Sequence, residues 1–256
     1  MSDLKVSILQ PDPVWEDKRA NLGLYDQMIG DLNSPDLILL PEMFDTGFSM
    51  NVGHLAESMN GPVVSWMREK AVLTGAVVAG STIIRDGDAI YNRLVWAQPN
   101  GSLDFYDKRH LFSMGSEHLH YSPGTERKSF SCKGWKIRAL VCYDLRFPVW
   151  SRNDDDYDLL VYLANWPSAR HHVWKTLLVA RALENQCWCI GVNRTGRDGM
   201  DLNYLGDSGV IDARGKAYWT GADQGVLEYS LSLTDLHDFR RKFPVLRDRD
   251  SFTLNS

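Results

Sequence analysis

The sequence predicts an α/β protein, a four-layer α-β-β-α sandwich with mixed sheets. Apolar, β-branched runs recur from end to end of the 256 residues. Several are continuous rather than alternating, the pattern of strands covered on both faces. Helical stripes stand between some of these runs, as they do where a crossover joins parallel strands. Between Ala76 and Lys108, strands follow one another with no helix, so hairpins join the crossovers and the sheets are mixed. Helices on one face of each sheet, with the other two faces packed together, complete the four layers.

Along the chain the strand runs are Val6–Leu9, Leu37–Leu40, Ala76–Ile84, Tyr91–Ala97, Ile137–Cys142, Leu159–Leu163, Cys187–Val192, Gly209–Ile211 and Val226–Leu231. Leu22, Tyr25, Ile29 and Leu32 form one apolar stripe at helical spacing. Val63, Trp66, Met67 and Ala71 form a second, with Asn60 and Pro62 as start signals and Gly75 as the stop. A third helix begins near Ser168 and carries Val173, Leu177 and Ala180 on one face. The charge run Arg152-Asn153-Asp154-Asp155-Asp156 reads as a solvated turn. No repeat, low-complexity tract or Pro/Gly/Ser-rich linker divides the chain. Residues 1–256 are therefore expected to form one domain, with a core at about 4–232 and a C-terminal extension at about 233–256.

Composition narrows the function. Acids outnumber bases 33 to 28, against the basic excess of a nucleic-acid binder. No apolar run approaches the roughly 18 residues of a membrane span, and the start leads at once into a strand-like run rather than a secretory signal. Cys132, Cys142, Cys187 and Cys189 are too few in a chain this long to be a disulfide framework. The expectation is a cytoplasmic, enzyme-sized protein.

Three polar residues share one context, the end of an apolar strand, where reacting groups of α/β proteins collect. Leu37–Leu40 leads through Pro41 to the Glu42 carboxylate. Leu103–Asp107 ends a buried strand on the Lys108 amine, and Ala139–Val141 ends one on the Cys142 thiol. A carboxylate, an ammonium and a thiol can act as base, electrophilic partner and nucleophile. Each alone also has an ordinary structural reading: a solvated cap, a surface lysine, a small core hydrophobe.

Taken together, Leu39-Leu40-Pro41-Glu42-Met43-Phe44, Asp107-Lys108-Arg109-His110-Leu111-Phe112 and Val141-Cys142-Tyr143-Asp144-Leu145-Arg146-Phe147-Pro148 resemble the three signatures of the nitrilase, or carbon–nitrogen hydrolase, superfamily. They stand in that family's order, 66 and 34 residues apart. The likeness continues through Leu163–Pro167, Ala180–Asn185 and Gly206–Val210, and Glu117 before Ser122-Pro123-Gly124 matches the family's second glutamate. The resemblance implies Glu42 as general base, Cys142 as nucleophile, Lys108 as oxyanion partner and Glu117 orienting Lys108 or the substrate amide. It implies no metal and no organic cofactor, a small-molecule amide as substrate, and a homodimer.

Met43–Phe48, Asn165-Trp166-Pro167 and Phe243–Phe252 look most like the omega-amidase branch, which acts on 2-oxoglutaramate and 2-oxosuccinamate. Such a substrate ends in a carboxylate, which calls for an arginine or a helix N-terminus. Arg146, Arg170 and the helix near Ser168 are the candidates, with Phe44, Tyr143 and Trp166 as pocket walls. For Arg146 the reading leans to an ion pair with Asp144 or Glu184. Alternatives remain another amidase or N-carbamoyl hydrolase of the superfamily, a non-catalytic binding protein on this fold, and a metal hydrolase on Glu117, His118 and His120. Gly75–Thr82 has phosphate-loop spacing but lacks the lysine.

Overall fold

Fourteen strands build two six-stranded sheets and a short hairpin in the computed structural model, which describes residues 3–254. In chain order they are β1 (Leu4–Gln10), β2 (Leu37–Leu39), β3 (Val77–Asp86), β4 (Ala89–Ala97), β5 (Leu103–Asp107), β6 (Ser129–Cys132) and β7 (Trp135–Val141). There follow β8 (Leu159–Leu163), β9 (Trp188–Val192), β10 (Thr195–Arg197), β11 (Asn203–Leu205), β12 (Gly209–Ile211), β13 (Ala217–Trp219) and β14 (Gly225–Leu231). The first sheet runs β14-β1-β2-β3-β4-β5 and the second β13-β12-β9-β8-β7-β6, with β10 and β11 paired apart. Each large sheet has three parallel strands at its centre, β1-β2-β3 and β7-β8-β9, flanked by antiparallel partners. The mixed sheets follow from the hairpin-rich stretches at 77–107 and 129–141.

Four longer helices, α1 (Lys18–Gly30), α2 (Pro62–Thr74), α3 (His171–Asn185) and α4 (Leu233–Lys242), supply the outer layers. One core joins the inner faces of both sheets, Val6, Ile8, Leu39 and Trp96 meeting Ile137, Ala139, Val161 and Phe130, and reaches Trp174 and Leu178 of α3. A second lies on the outer face of the first sheet, where Ile38, Leu40 and Val78 meet Tyr25 and Ile29 of α1 and Val63 and Met67 of α2. Asp17 caps α1 by accepting the Ala20 N–H at 2.9 Å. Pro62 opens α2, and Gly75 ends it with φ +67°, a left-handed turn that glycine adopts without strain. Among the described residues no helix is long and apolar enough to cross a membrane.

Three expectations change. The fully buried face of α3 is Trp174, Leu178, Arg181, Ala182 and Asn185, while Val173, Leu177 and Ala180 are only partly buried beside it. Two polar residues take the inner face because each finds partners: Arg181 donates to the Leu145 carbonyl at 2.6 Å and Asn185 to the Arg181 carbonyl at 3.0 Å. The 152–156 run is no freely solvated turn. Asn153 is buried against Asn185 and Tyr157, while Asp154 and Asp155 pair with Arg138. Finally, β5 is the outer strand of its sheet with only Tyr106 buried, yet Lys108 just beyond it turns inward to 1 % exposure.

Candidate active site

Glu42 lies three residues past β2, Lys108 one past β5, and Cys142 at the first position of a 3-10 turn (Cys142–Arg146) that follows β7 in the other sheet. The site therefore forms where the two sheets meet at their strand ends. Asn165, just beyond β8, ties them together. Its N–H donates to Glu42 Oε2 at 2.9 Å, its Nδ2 to the Glu42 carbonyl at 2.5 Å, and its carbonyl accepts from the Cys142 thiol at 3.8 Å.

The charged centre is buried and densely hydrogen-bonded. Lys108 Nζ lies 2.8 Å from Glu42 Oε1 and 3.0 and 2.9 Å from the two oxygens of Glu117. Glu117 Oε2 also accepts the Phe112 N–H at 2.6 Å. Asn92 Nδ2 donates to Glu42 Oε1 at 2.9 Å and Glu117 Oε1 at 3.1 Å. Two carboxyl groups around one ammonium in the interior are tolerable only with dense hydrogen bonding.

Burial alone would lower the Lys108 ammonium, but the charges of Glu117 and Glu42 outweigh it and hold Lys108 raised. Burial raises the Glu117 carboxyl although Lys108 pulls the other way, and the neighbouring Glu42 adds to the rise. Burial also pushes the Cys142 thiol well up, reinforced by Glu42 and opposed by Lys108. The resting sulfur is accordingly a thiol, and a nucleophile there needs a base at the moment of attack.

Cys142 sits at φ +45°, a left-handed conformation costly for a side-chain-bearing residue. Asp144 braces the turn. Its Oδ2 accepts the Val141 N–H at 3.0 Å and the Tyr106 hydroxyl at 2.8 Å, while Oδ1 accepts the His110 N–H at 3.0 Å. The Tyr143 N–H, at the start of the 3-10 turn, is one of the orphan donors every helix start presents.

A pocket of about 410 Å³ opens over Glu42, Lys108 and Cys142. Tyr143, Arg146, Trp166 and Arg170 line it. Phe44 does not. It is fully buried in the outer core, 5.3 Å from the Tyr25 ring and 5.8 Å from the Trp66 ring between centroids. Met43 at φ +41° turns the chain there, and Phe48 takes the pocket wall instead. The ion pair expected for Arg146 is also absent. Asp144 is occupied by His110 and Tyr106, and Glu184 pairs with Arg181 at 2.9 Å. Arg146 stands 5.3 Å over the Trp166 ring and Arg170 5.3 Å over Phe112. Among the described residues neither guanidinium has a carboxylate partner.

Sequence reasoning gave no role to Asn92, a polar residue inside a strand run, and named Asn165 only within the Asn165-Trp166-Pro167 likeness, without a place in the site. It also missed the pocket wall at Met200, Leu202 and Tyr204. Asp198 holds that β10–β11 loop in shape, accepting from the Met200 and Leu202 N–H groups and the Tyr204 hydroxyl. His118 and His120 are exposed while Glu117 is buried with Lys108. Among the described residues no group of three or more His, Cys, Asp or Glu could hold a metal. Gly75–Thr82 runs into the interior of β3, where a Cβ on Gly80 would approach Phe44 to 2.8 Å.

Compared with known proteins, residues 5–241 match the carbon-nitrogen hydrolase family. The chain is 46% identical to the omega-amidase YafV of Yersinia enterocolitica over 256 residues, 99% of this chain and 100% of that one. It is 35% identical to the 2-oxoglutaramate amidase of Bacillus subtilis over 219 residues, 83% and 84% of the two chains. It superposes with a TM-score of 0.98, at 45% identity and full coverage of both chains, on the crystal structure of a carbon–nitrogen hydrolase superfamily protein from Xanthomonas campestris that carries an arsenic adduct in its active site.

Proposed function

From the premise that the chain belongs to the carbon–nitrogen hydrolase family, we propose that it is an omega-amidase, hydrolysing the terminal amide of 2-oxoglutaramate or 2-oxosuccinamate to the 2-oxo dicarboxylic acid and ammonia. The observation that carries this reading is a pocket with a thiol, a lysine and a glutamate at its floor and, in its wall, two guanidiniums that have no carboxylate partner among the described residues. The relatives named for omega-amidase and 2-oxoglutaramate amidase activity support it.

In this reading Glu42 takes the Cys142 proton as sulfur bonds to the amide carbon. The developing oxyanion meets the Lys108 ammonium and the Tyr143 N–H. One such donor is worth roughly 100- to 1000-fold in rate. The C–N bond breaks as Glu42 returns its proton to nitrogen, releasing ammonia and leaving a thioester. Glu42 then takes a proton from water, the hydroxyl attacks the thioester carbonyl, and the C–S bond breaks with the proton going to sulfur. Glu117, with both oxygens spent on Lys108, Asn92 and Phe112, positions the lysine rather than the substrate. Arg146 or Arg170 receives the substrate carboxylate, while Tyr143, Trp166 and Phe48 exclude water. A cytoplasmic homodimer belongs to the same proposal.

The test is ammonia release from 2-oxoglutaramate, glutamine and an N-carbamoyl amino acid by wild type, Cys142→Ser, Arg146→Met and Arg170→Met. Release from the oxo-amide, lost in Cys142→Ser and with KM raised about 10- to 100-fold in one arginine variant, is the expected result. Preference for the carbamoyl compound would move the protein to another branch of the family. Inertness toward all three would remove the omega-amidase reading.

A further inference from the structure

Asn92 lies in β4, fully enclosed, and every polar atom of its side chain is engaged. The Ser81 hydroxyl donates to Asn92 Oδ1 at 2.8 Å, and Ser81 Oγ accepts the Met43 N–H at 2.9 Å. The accepting oxygens of Glu42 and Glu117 call for the NH2 end of the amide, and the Ser81 hydroxyl donating to Oδ1 holds it in that orientation. That group has two hydrogens. One goes to Glu42 Oε1 and the other to Glu117 Oε1.

Glu42 is thereby made asymmetric. Its Oε1 receives both Lys108 and Asn92, whereas Oε2 receives the Asn165 N–H and is the oxygen left for the thiol and for substrate protons. We propose that Asn92 is a positioning residue that, by occupying Oε1 together with Lys108, selects Oε2 of Glu42 as the proton-carrying atom and holds Glu42 and Glu117 in place on either side of the lysine. The inference rests on the reading of Glu42 as general base.

The physical reason is charge. The groups facing Glu42 are Lys108, Glu117, Cys142 and Tyr121. Two carboxylates against one ammonium need further donors, because hydrogen bonds to the charged form favour it and a like charge disfavours it. An amide supplies two such bonds and no charge. An aspartate of the same shape would supply neither and would add a third carboxylate.

The experiment measures kcat and KM from about pH 5 to about pH 9, on whichever amide of the panel is turned over fastest. Wild type, Asn92→Asp, Ser81→Ala and Glu42→Gln are compared, with thermal melting to check folding. For Asn92→Asp we expect kcat near neutrality to fall about 100-fold or more. The acid limb of its kcat/KM profile should move up by roughly one to three pH units, with KM little changed. Ser81→Ala keeps Asn92 but frees its amide to turn, so its limb should move the same way by less. If both variants fold and their limbs coincide with wild type, the inference is overturned; if Asn92→Asp does not fold, the limb of Ser81→Ala decides alone. Glu42→Gln at wild-type rate would instead remove the general-base reading. An inactive Glu42→Gln with unmoved limbs in the other two removes only the role of Asn92.

Discussion

Lys108→Met deletes the one cation of the buried cluster while keeping most of its bulk. Nζ lies 2.8 Å from Glu42 and 2.9 Å from Glu117, all three side chains being at most 1 % exposed. At an effective dielectric of about 20, each contact is worth about 6 kcal/mol before desolvation is counted. Deleting one partner of a buried pair costs about 3–5 kcal/mol net. For 256 residues the unfolding entropy is about 0.5 kcal/mol per kelvin, so Tm should fall by about 6–9 °C. The loss depends on pH. Without the ammonium, burial and mutual repulsion raise at least one carboxyl above its unfolded value of about 4.3. Glu117 is raised even in wild type, burial being the main cause. A group raised in the folded state contributes stability that is complete below the unfolded value and lost as pH climbs through the folded one. The deficit of the variant relative to wild type should therefore be largest near about pH 8 and shrink toward about pH 5. Melting both proteins side by side by circular dichroism across that window is the assay. A drop under about 2 °C at the upper end, or a deficit that does not change with pH, would refute the electrostatic account.

Two further outcomes follow from the same geometry. The resting Cys142 is a thiol, held up by burial and by Glu42. The thiolate absorbance of wild type minus Cys142→Ser should therefore be flat through neutrality and emerge only in alkali. Cys132 and Cys187, pushed up to about 12 by burial, cancel in the difference; a thiolate signal at neutral pH would rule out proton transfer at the moment of attack. Gly80→Ala would put a methyl 2.8 Å from Phe44 Cδ1 and 3.0 Å from Leu40 Cβ, overpacking worth about 1–3 kcal/mol. Tm should fall by about 2–6 °C, and kcat should fall at unchanged KM because Leu40 and Phe44 bracket Glu42; an unmoved Tm would mean that the Phe44 site can yield.

Ten of the fourteen described strands and the three strand-end residues were legible in the sequence because their signals are local, whereas β6, β10, β11 and β13 are too short or too polar to show as apolar runs. A continuous apolar run reports burial on both faces wherever its neighbours lie, and Pro62 and Gly75 mark the ends of α2 through their own backbone preferences. Glu42 and Cys142 each follow such a run, and Lys108 follows an edge strand of mixed polarity, so their place at a strand end needed no knowledge of what they meet. What they meet was decided by the approach of one sheet to the other. Asn165 grips Glu42 across 123 positions of chain, and Asn92 joins two carboxylates that lie 50 and 25 residues from it. The same holds for the side chains that were misplaced. Helical spacing alone could not turn α3 so that Arg181 and Asn185 face inward, because Leu145 and Asn153, which bond them there, come from other segments. Nor could it put Phe44 in the core and Phe48 in the pocket, since that depends on a left-handed turn at Met43 whose N–H is held by Ser81. Arg146, stacked on Trp166 in the pocket wall, meets no carboxylate among the described residues because Asp144 and Glu184 are already taken by Tyr106, His110 and Arg181. Periodicity encodes which face of an element is dry, whereas the pairing of polar groups within that dry space is a competition among partners that only the assembled sheets bring into reach.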